Sequence, residues 1–247
     1  MRTFLIAEDD PLHRGFLREV IAQCDIGCDR LVEVDNGEDA IREAQDQDAR
    51  GIILDLQMPR QTGVQVARMI WARAPATPIL FWSNYADEAY VRGISRIVPA
   101  NTAYGYLLKS ASRDRLSRAI QCVFVDGQNL VDREVRTVQE RRHTRTTSLS
   151  ETEYEVLLDI SIGLTDHAIA ERRRISLRSV QGRLQQLYLK LGLEERPQPG
   201  AAPAVYNSRG RAVAVALIRR IINGRMIEIA EAEYAEERAR SHPLPPG

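Results

Sequence analysis

Over the first 125 residues, short apolar runs alternate with stretches whose apolar residues recur at helical spacing. The runs are residues 2–7 (RTFLIA), Leu31–Val34, Gly51–Asp55, the ILFWS segment opened by Pro78, and Tyr104–Leu108. Each reads as a strand, and the continuous apolar run at Gly51–Asp55 reads as one covered on both faces. Between them, Leu12, Phe16, Leu17, Val20 and Ile21, then Val64, Ala67, Met69 and Ile70, then Leu116, Ala119, Ile120 and Val123 mark helices. Strands alternating with helices predict an α/β, doubly wound, five-stranded parallel sheet over residues 1–126.

Beyond residue 126 the periodicity weakens, and RRHTRTTS (141–148) offers little to bury. Residues 127–147 read as a linker whose first half is helical. Residues 148–226 then predict a small all-α domain. SETE (150–153) is a capping box: Ser150 caps, and Glu153 reaches back. Apolar residues from Tyr154 to Ile160 follow, and Gly163 stops that helix. Thr165-Asp166 opens a second helix, and a turn around Arg174–Ser176 leads to a third, from Ser179 to Leu191. Short helices joined by tight turns describe a helix-turn-helix. The Pro/Gly/Ala-rich segment 194–208 reads as an inserted loop, Arg211–Ile222 as an apolar helix, and 227–247 as an acidic helical tail with a disordered SHPLPPG end.

Charge separates the two halves. The net is zero overall, but residues 1–125 hold 15 Lys+Arg against 17 Asp+Glu, whereas residues 141–225 hold 15 against 8. A basic excess confined to the helical part suggests a nucleic-acid partner there. No apolar run approaches the ~18 residues of a membrane span. The amino terminus turns acidic at Glu8 before a signal-peptide core forms, and the odd count of three cysteines suits free thiols. The expected location is the cytoplasm, with no membrane partner.

The chemistry lies where the strands end. Open α/β sheets place their sites at the carboxyl ends of strands. Glu8 and Asp9 follow the first strand, Asp55 the third, Ser83 the fourth and Lys109 the fifth. Asp55 alone reads as a turn-capping acid; together the five form a constellation. Three carboxylates held close repel one another, and Mg²⁺, a hard cation that accepts carboxylates, waters and phosphate oxygens, relieves this. A carboxylate beside Mg²⁺ and an ammonium can attack phosphorus. Only two of the 34 basic residues are lysines, Lys109 and Lys190, and a compact ammonium suits a tight phosphoryl site.

AEDDP (7–11), ILDLQMP with Gly63, PILFWS (78–83) and GYLLK (105–109) resemble the receiver domain of two-component response regulators. The resemblance implies that Asp55 accepts phosphate from a histidine kinase, and that Glu8, Asp9, Asp55 and the backbone carbonyl of Gln57 surround Mg²⁺. It also implies that Ser83 and Lys109 hold the phosphoryl group and that Tyr106 reorients with Ser83. Glu8 departs from the more usual aspartate, and Val91–Ala103 is longer than usual and interrupted by Pro99.

Residues 149–193 (LSETEYEVLLDISIGLTDHAIAERRRISLRSVQGRLQQLYLKLGL) are similar to LuxR-type DNA-binding domains. A receiver joined to such a domain defines the NarL/FixJ class, which implies phosphorylation-controlled transcription regulation through double-stranded DNA and a homodimer in the active form. The residues facing outward, Arg178, Ser179, Gln181, Gly182, Arg183 and Gln185, with Thr165 and Lys190, are the candidate DNA contacts. Arg can read guanine and Gln adenine. Arg178 and Lys190 serve equally well as phosphate contacts. The alternatives are a regulator that binds DNA without phosphate, and a phosphatase using an aspartyl-phosphate. The phosphatase usually has a general acid two residues after the nucleophile, where this chain has Gln57.

Overall fold

The computed structural model describes residues 2–46, 48–84, 86–143, 148–193 and 206–241. The chain divides into two compact units, with the main boundary between Val138 and Gln139.

In the first unit, strands β1 (Thr3–Ala7), β2 (Arg30–Val34), β3 (Gly51–Leu54), β4 (Ile79–Ser83) and β5 (Tyr104–Leu108) form a parallel sheet. Its order is β2-β1-β3-β4-β5-β6, where β6 is the two-residue strand Leu130–Val131. Alternate residues of each strand feed two separate cores. Leu5, Ile52, Leu54, Phe81 and Tyr106 point to one face, covered by α2 (Gly37–Asp46), α3 (Gly63–Arg73) and α4 (Glu88–Ile97). Phe4, Ile6, Ile53, Leu80 and Trp82 point to the other, covered by α1 (Pro11–Gln23) and α5 (Arg113–Phe124). Burial on both faces is the reason β1, β3, β4 and β5 read as apolar runs, whereas the edge strand β2 is only half-buried and carries Glu33.

The sheet therefore has six strands, not the five expected. An outer β5 would leave a row of unpaired N–H and C=O groups. Instead, the Asn129 side chain accepts from the Tyr104 N–H at 2.9 Å, and the Asp132 N–H donates to the Tyr106 carbonyl at 2.8 Å. Helix α6 (Arg133–His143) follows and buries Val135 completely among the residues of the first core. Much of the segment read as linker thus belongs to the sheet domain; residues 144–147 lie outside the described part.

The second unit holds α7 (Glu151–Ser161), α8 (Asp166–Arg173), α9 (Leu177–Leu191), α10 (Ser208–Ile218) and α11 (Gly224–Ser241). Ser150 and Glu153 form the capping box expected of them. Ser176, not Ser179, opens α9: its hydroxyl accepts from the Ser179 N–H, so the helix starts earlier than the sequence reading placed it. Val156, Leu157, Ile169, Val180, Leu184 and Leu187 form the shared core. The single helix expected over Arg211–Ile222 ends at Ile218, because Arg220 turns the chain with a φ of 56°. Helix α11 is no detached tail. Ile227 and Tyr234 pack on the core, and Ala230 is buried. Of the expected loop 194–208, residues 194–205 lie outside the described part and Ser208 begins α10; the end called disordered lies outside it from residue 242 on.

Candidate functional site

At the carboxyl edge of the sheet, β1 and β3 diverge to opposite connections and leave a crevice. Glu8 and Asp55 extend these strands. The Glu8 N–H donates to the Val34 carbonyl and the Asp55 N–H to the Ala7 carbonyl, which fixes both at the rim. One oxygen each of Glu8, Asp9 and Asp55 lies within 4.8 Å of the others. Glu8 and Asp55 are buried and Asp9 is exposed. Lys109 enters from the end of β5, 2.7 Å from Glu8 and 3.0 Å from Asp55, with its side chain 5% exposed.

Three carboxylates thus face one ammonium. Burial, and then the neighbouring Asp55 charge, push the Glu8 carboxyl above its ordinary range. Burial raises Asp55 as well, against the pull of Lys109. A divalent cation would balance the surplus of two negative charges, and an all-oxygen donor set open on its Asp9 side suits Mg²⁺. The residues present therefore fit the ion.

The remaining rim residues are placed as follows. The Gln57 N–H donates to Asp55 Oδ1 at 3.2 Å, which shapes the loop after β3. Ser83 is buried at the end of β4, and its carbonyl accepts from the Lys109 N–H at 2.8 Å. Tyr106 is buried against Phe81, with ring centroids 6.3 Å apart. At Gly63, a Cβ would overlap the Asp55 carbonyl oxygen, so only glycine lets α3 start this close to the acid.

Two rim residues went unread in the sequence. Arg14 donates to the Glu8 carbonyl at 2.6 Å and the Asp9 carbonyl at 3.3 Å, pinning the loop that carries both acids. His13 lies with Nδ1 3.4 Å from Lys109 Nζ and 3.5 Å from Glu8 Oε1. Both sit on α1, where Asp10 caps the first turn. No sequence motif marks them, since each occupies an ordinary position on an amphipathic helix.

In the second unit, α9 turns Val180, Leu184, Leu187 and Leu191 inward. Arg178, Ser179, Gln181, Gly182 and Gln185 are exposed along one side, and Arg183 is half-buried. Thr165 is exposed and caps α8. Lys190 stands apart from this set. Its ammonium is bound to Glu153 at 2.7 Å, the same carboxylate that closes the capping box. This ion pair ties α7 to α9.

Residues 4–121 match the family model of the response regulator receiver domain. The transcriptional regulatory protein YdfI of Bacillus subtilis is 30% identical over 210 residues, spanning 80% of this chain and 93% of that one. The chain belongs to the response regulator family. Its two units correspond to the NarL/FixJ class, a receiver joined to a LuxR-type domain. LnrK of Bacillus subtilis, another transcriptional regulatory protein, is 24% identical over 223 residues, or 85% of this chain and 97% of that one. Among solved structures, RcsB of Salmonella enterica serovar Typhimurium, bound to promoter DNA with a phosphomimetic, shares the fold. Its TM-score is 0.59 at 19% identity, covering 90% of this chain and 99% of that one. No helix among the described residues of this response regulator is long and apolar enough to cross a membrane.

Proposed function

We propose that this response regulator accepts a phosphoryl group on Asp55 from a histidine kinase and thereby controls its binding to double-stranded DNA. The observation that carries the reading is the buried Asp55, held 3.0 Å from Lys109 within a cluster of three carboxylates. Glu8, Asp9, Asp55 and the Gln57 carbonyl would hold Mg²⁺, which supplies positive charge to the phosphoryl oxygens. An Asp55 carboxylate oxygen bonds phosphorus as the P–N bond of the donor phosphohistidine breaks. Lys109 exchanges its contact with Asp55 for a phosphoryl oxygen, and the Ser83 hydroxyl donates to another. Tyr106, two residues before Lys109's own strand end, moves with Ser83. Such bonds shift an equilibrium between two receiver conformations.

Readout falls to α9. Arg178, Gln181, Gly182, Arg183 and Gln185, with Ser179 and Thr165 near the helix starts, would meet the groove and backbone. Leu217 and Ile218 on α10 leave apolar side chains in solvent, 40% and 80% exposed, which suits contact with a second copy. Two copies would then read half-sites about one helical turn apart. The test is labelling by acyl phosphate followed by DNA binding. Wild type is labelled and binds more tightly; Asp55→Ala does neither. Persistent labelling of Asp55→Ala would refute the site, and equal DNA affinity with and without label would favour phosphate-independent binding.

A further inference from the structure

Lys109 has three ammonium protons and three acceptors around it. Two are the carboxylates of Glu8 and Asp55. The third is His13 Nδ1 at 3.4 Å, an acceptor in the tautomer that carries its proton on Nε2; the same nitrogen lies 3.5 Å from Glu8 Oε1. The Trp82 ring closes the remaining side, with its centroid 5.2 Å from Nζ. His13 is itself seated edge-on against Trp82, with centroids 5.4 Å apart and planes at 73°. Its backbone N–H is fixed by the Asp10 cap at 3.2 Å. The imidazole is thus held by its helix, by a ring and by Lys109. It stands outside the cluster of three carboxylates that suits a cation.

We infer that His13 is a positioning residue that anchors Lys109. This rests on the reading of Asp55 as phosphoacceptor for its consequence, though not for its geometry. When Asp55 gains a phosphoryl group, Lys109 must turn one N–H from Asp55 to a phosphoryl oxygen. Glu8 and His13 are the two contacts that stay behind and act as its pivot. With Glu8 alone, the ammonium swings on four methylenes, and its aim at the transferring group is lost. Rigidly placed charge is what stabilises such a transfer. His13 therefore acts through Lys109 and touches neither phosphorus nor metal.

Two variants separate anchoring from packing. His13→Asn keeps an acceptor at the place of Nδ1; His13→Leu keeps bulk and removes it. The chain has only two lysines, so an amine-acylating reagent reads Lys109 directly, with Lys190 as internal reference. In the unphosphorylated full chain, His13→Leu is expected to raise the acylation of Lys109 severalfold and leave Lys190 unchanged, with His13→Asn close to wild type. Equal acylation in His13→Leu would overturn the anchor, whatever Asp55 does. Phosphoryl uptake from acetyl phosphate is the second arm. His13→Leu is expected to slow it about tenfold, and His13→Asn to restore most of the rate. The loss should vanish in a Lys109→Ala background, because coupled residues are non-additive. Equal loss with and without Lys109 would overturn positioning through that lysine. An unlabelled wild type would instead sink the Asp55 reading, and the acylation arm alone would then decide whether His13 anchors Lys109.

Discussion

Both units bury carboxylates next to basic side chains, and the balance of charge differs. In the receiver, Glu8 and Asp55 are buried with Asp9 beside them, against the single ammonium of Lys109. In the helical unit, Asp159 is fully buried, yet it accepts from Arg172 at 2.8 Å and from Arg173 at 2.8 and 2.9 Å. Arg172 also grips Glu237 of α11 at 2.8 Å and lies over the Tyr234 ring. One cluster has an excess of anion held in place; the other is closed on itself. Unbalanced buried charge is a demand for a ligand, whereas balanced buried charge is a fastening.

That contrast can be broken most forcefully at Asp159. Asp159→Ala would leave two guanidiniums without their shared acceptor, and losing one partner of a buried ion pair costs about 3–5 kcal/mol. Urea unfolding of the helical unit followed by far-UV circular dichroism checks this; a loss under about 1 kcal/mol would remove the distinction.

Next comes Mg²⁺. At a concentration 100 times its dissociation constant, the ion should stabilise the receiver by about 2.7 kcal/mol. Both tryptophans, Trp71 and Trp82, lie in this unit, so fluorescence-detected melting isolates it. Asp55→Asn should lose most of the Mg²⁺ effect and be more stable than wild type without the ion. A metal-free Asp55→Asn no more stable than wild type would contradict the surplus of charge.

Substitution Gly182→Ala is expected to stabilise α9 by about 1 kcal/mol, since glycine disfavours helix interiors by that amount. Among the described residues, an added Cβ would meet no atom within 4 Å beyond its own stretch of helix. No packing among the described residues therefore requires this glycine. Weaker DNA binding by the more stable variant would tie the glycine to close approach of the groove; unchanged affinity would make it a tolerated gap.

The smallest effect is on pH, with opposite signs in the two units. The raised Glu8 and Asp55 carboxyls contribute stability that is present below their ordinary values of 4.5 and 3.8 and lost as pH rises through the higher folded values. Burial tends to raise Glu153 too, but its bonds to Lys190 and the Ser150 N–H outweigh this and leave it lowered. Its contribution is present above 4.5 and is lost as pH falls through the lower folded value. As pH falls, metal-free melts should therefore show the receiver gaining stability from the mildly acidic range down, and the helical unit losing it only below the ordinary glutamate value of 4.5. Parallel shifts of both units would undo the comparison.

Much of this was legible in the chain itself. Strands β1, β3, β4 and β5 announce themselves because two-sided burial leaves no polar position inside them. Glu8, Asp9, Asp55, Ser83 and Lys109 stand out because each follows such a run. What stayed hidden depends on partners distant in sequence. Strand β6 is two residues long and exists because β5 offers an edge. Lys190 finds Glu153 across 37 positions, and no periodicity reveals that. His13 has no motif, and only the fold brings it to Lys109, 96 residues away. The break after α10 escaped notice because an arginine, not a glycine, adopts the left-handed turn.

The closure of β5 has a practical side. A receiver severed after Phe124 would lose β6 and Val135, baring both a backbone ladder and an apolar hollow, and such an edge invites pairing between molecules. Severed after Val138, it would keep its seal. The seam at which this receiver can be exchanged for another therefore lies within α6, and chimaeras joined nearer residue 125 should aggregate where those joined past residue 138 stay monodisperse.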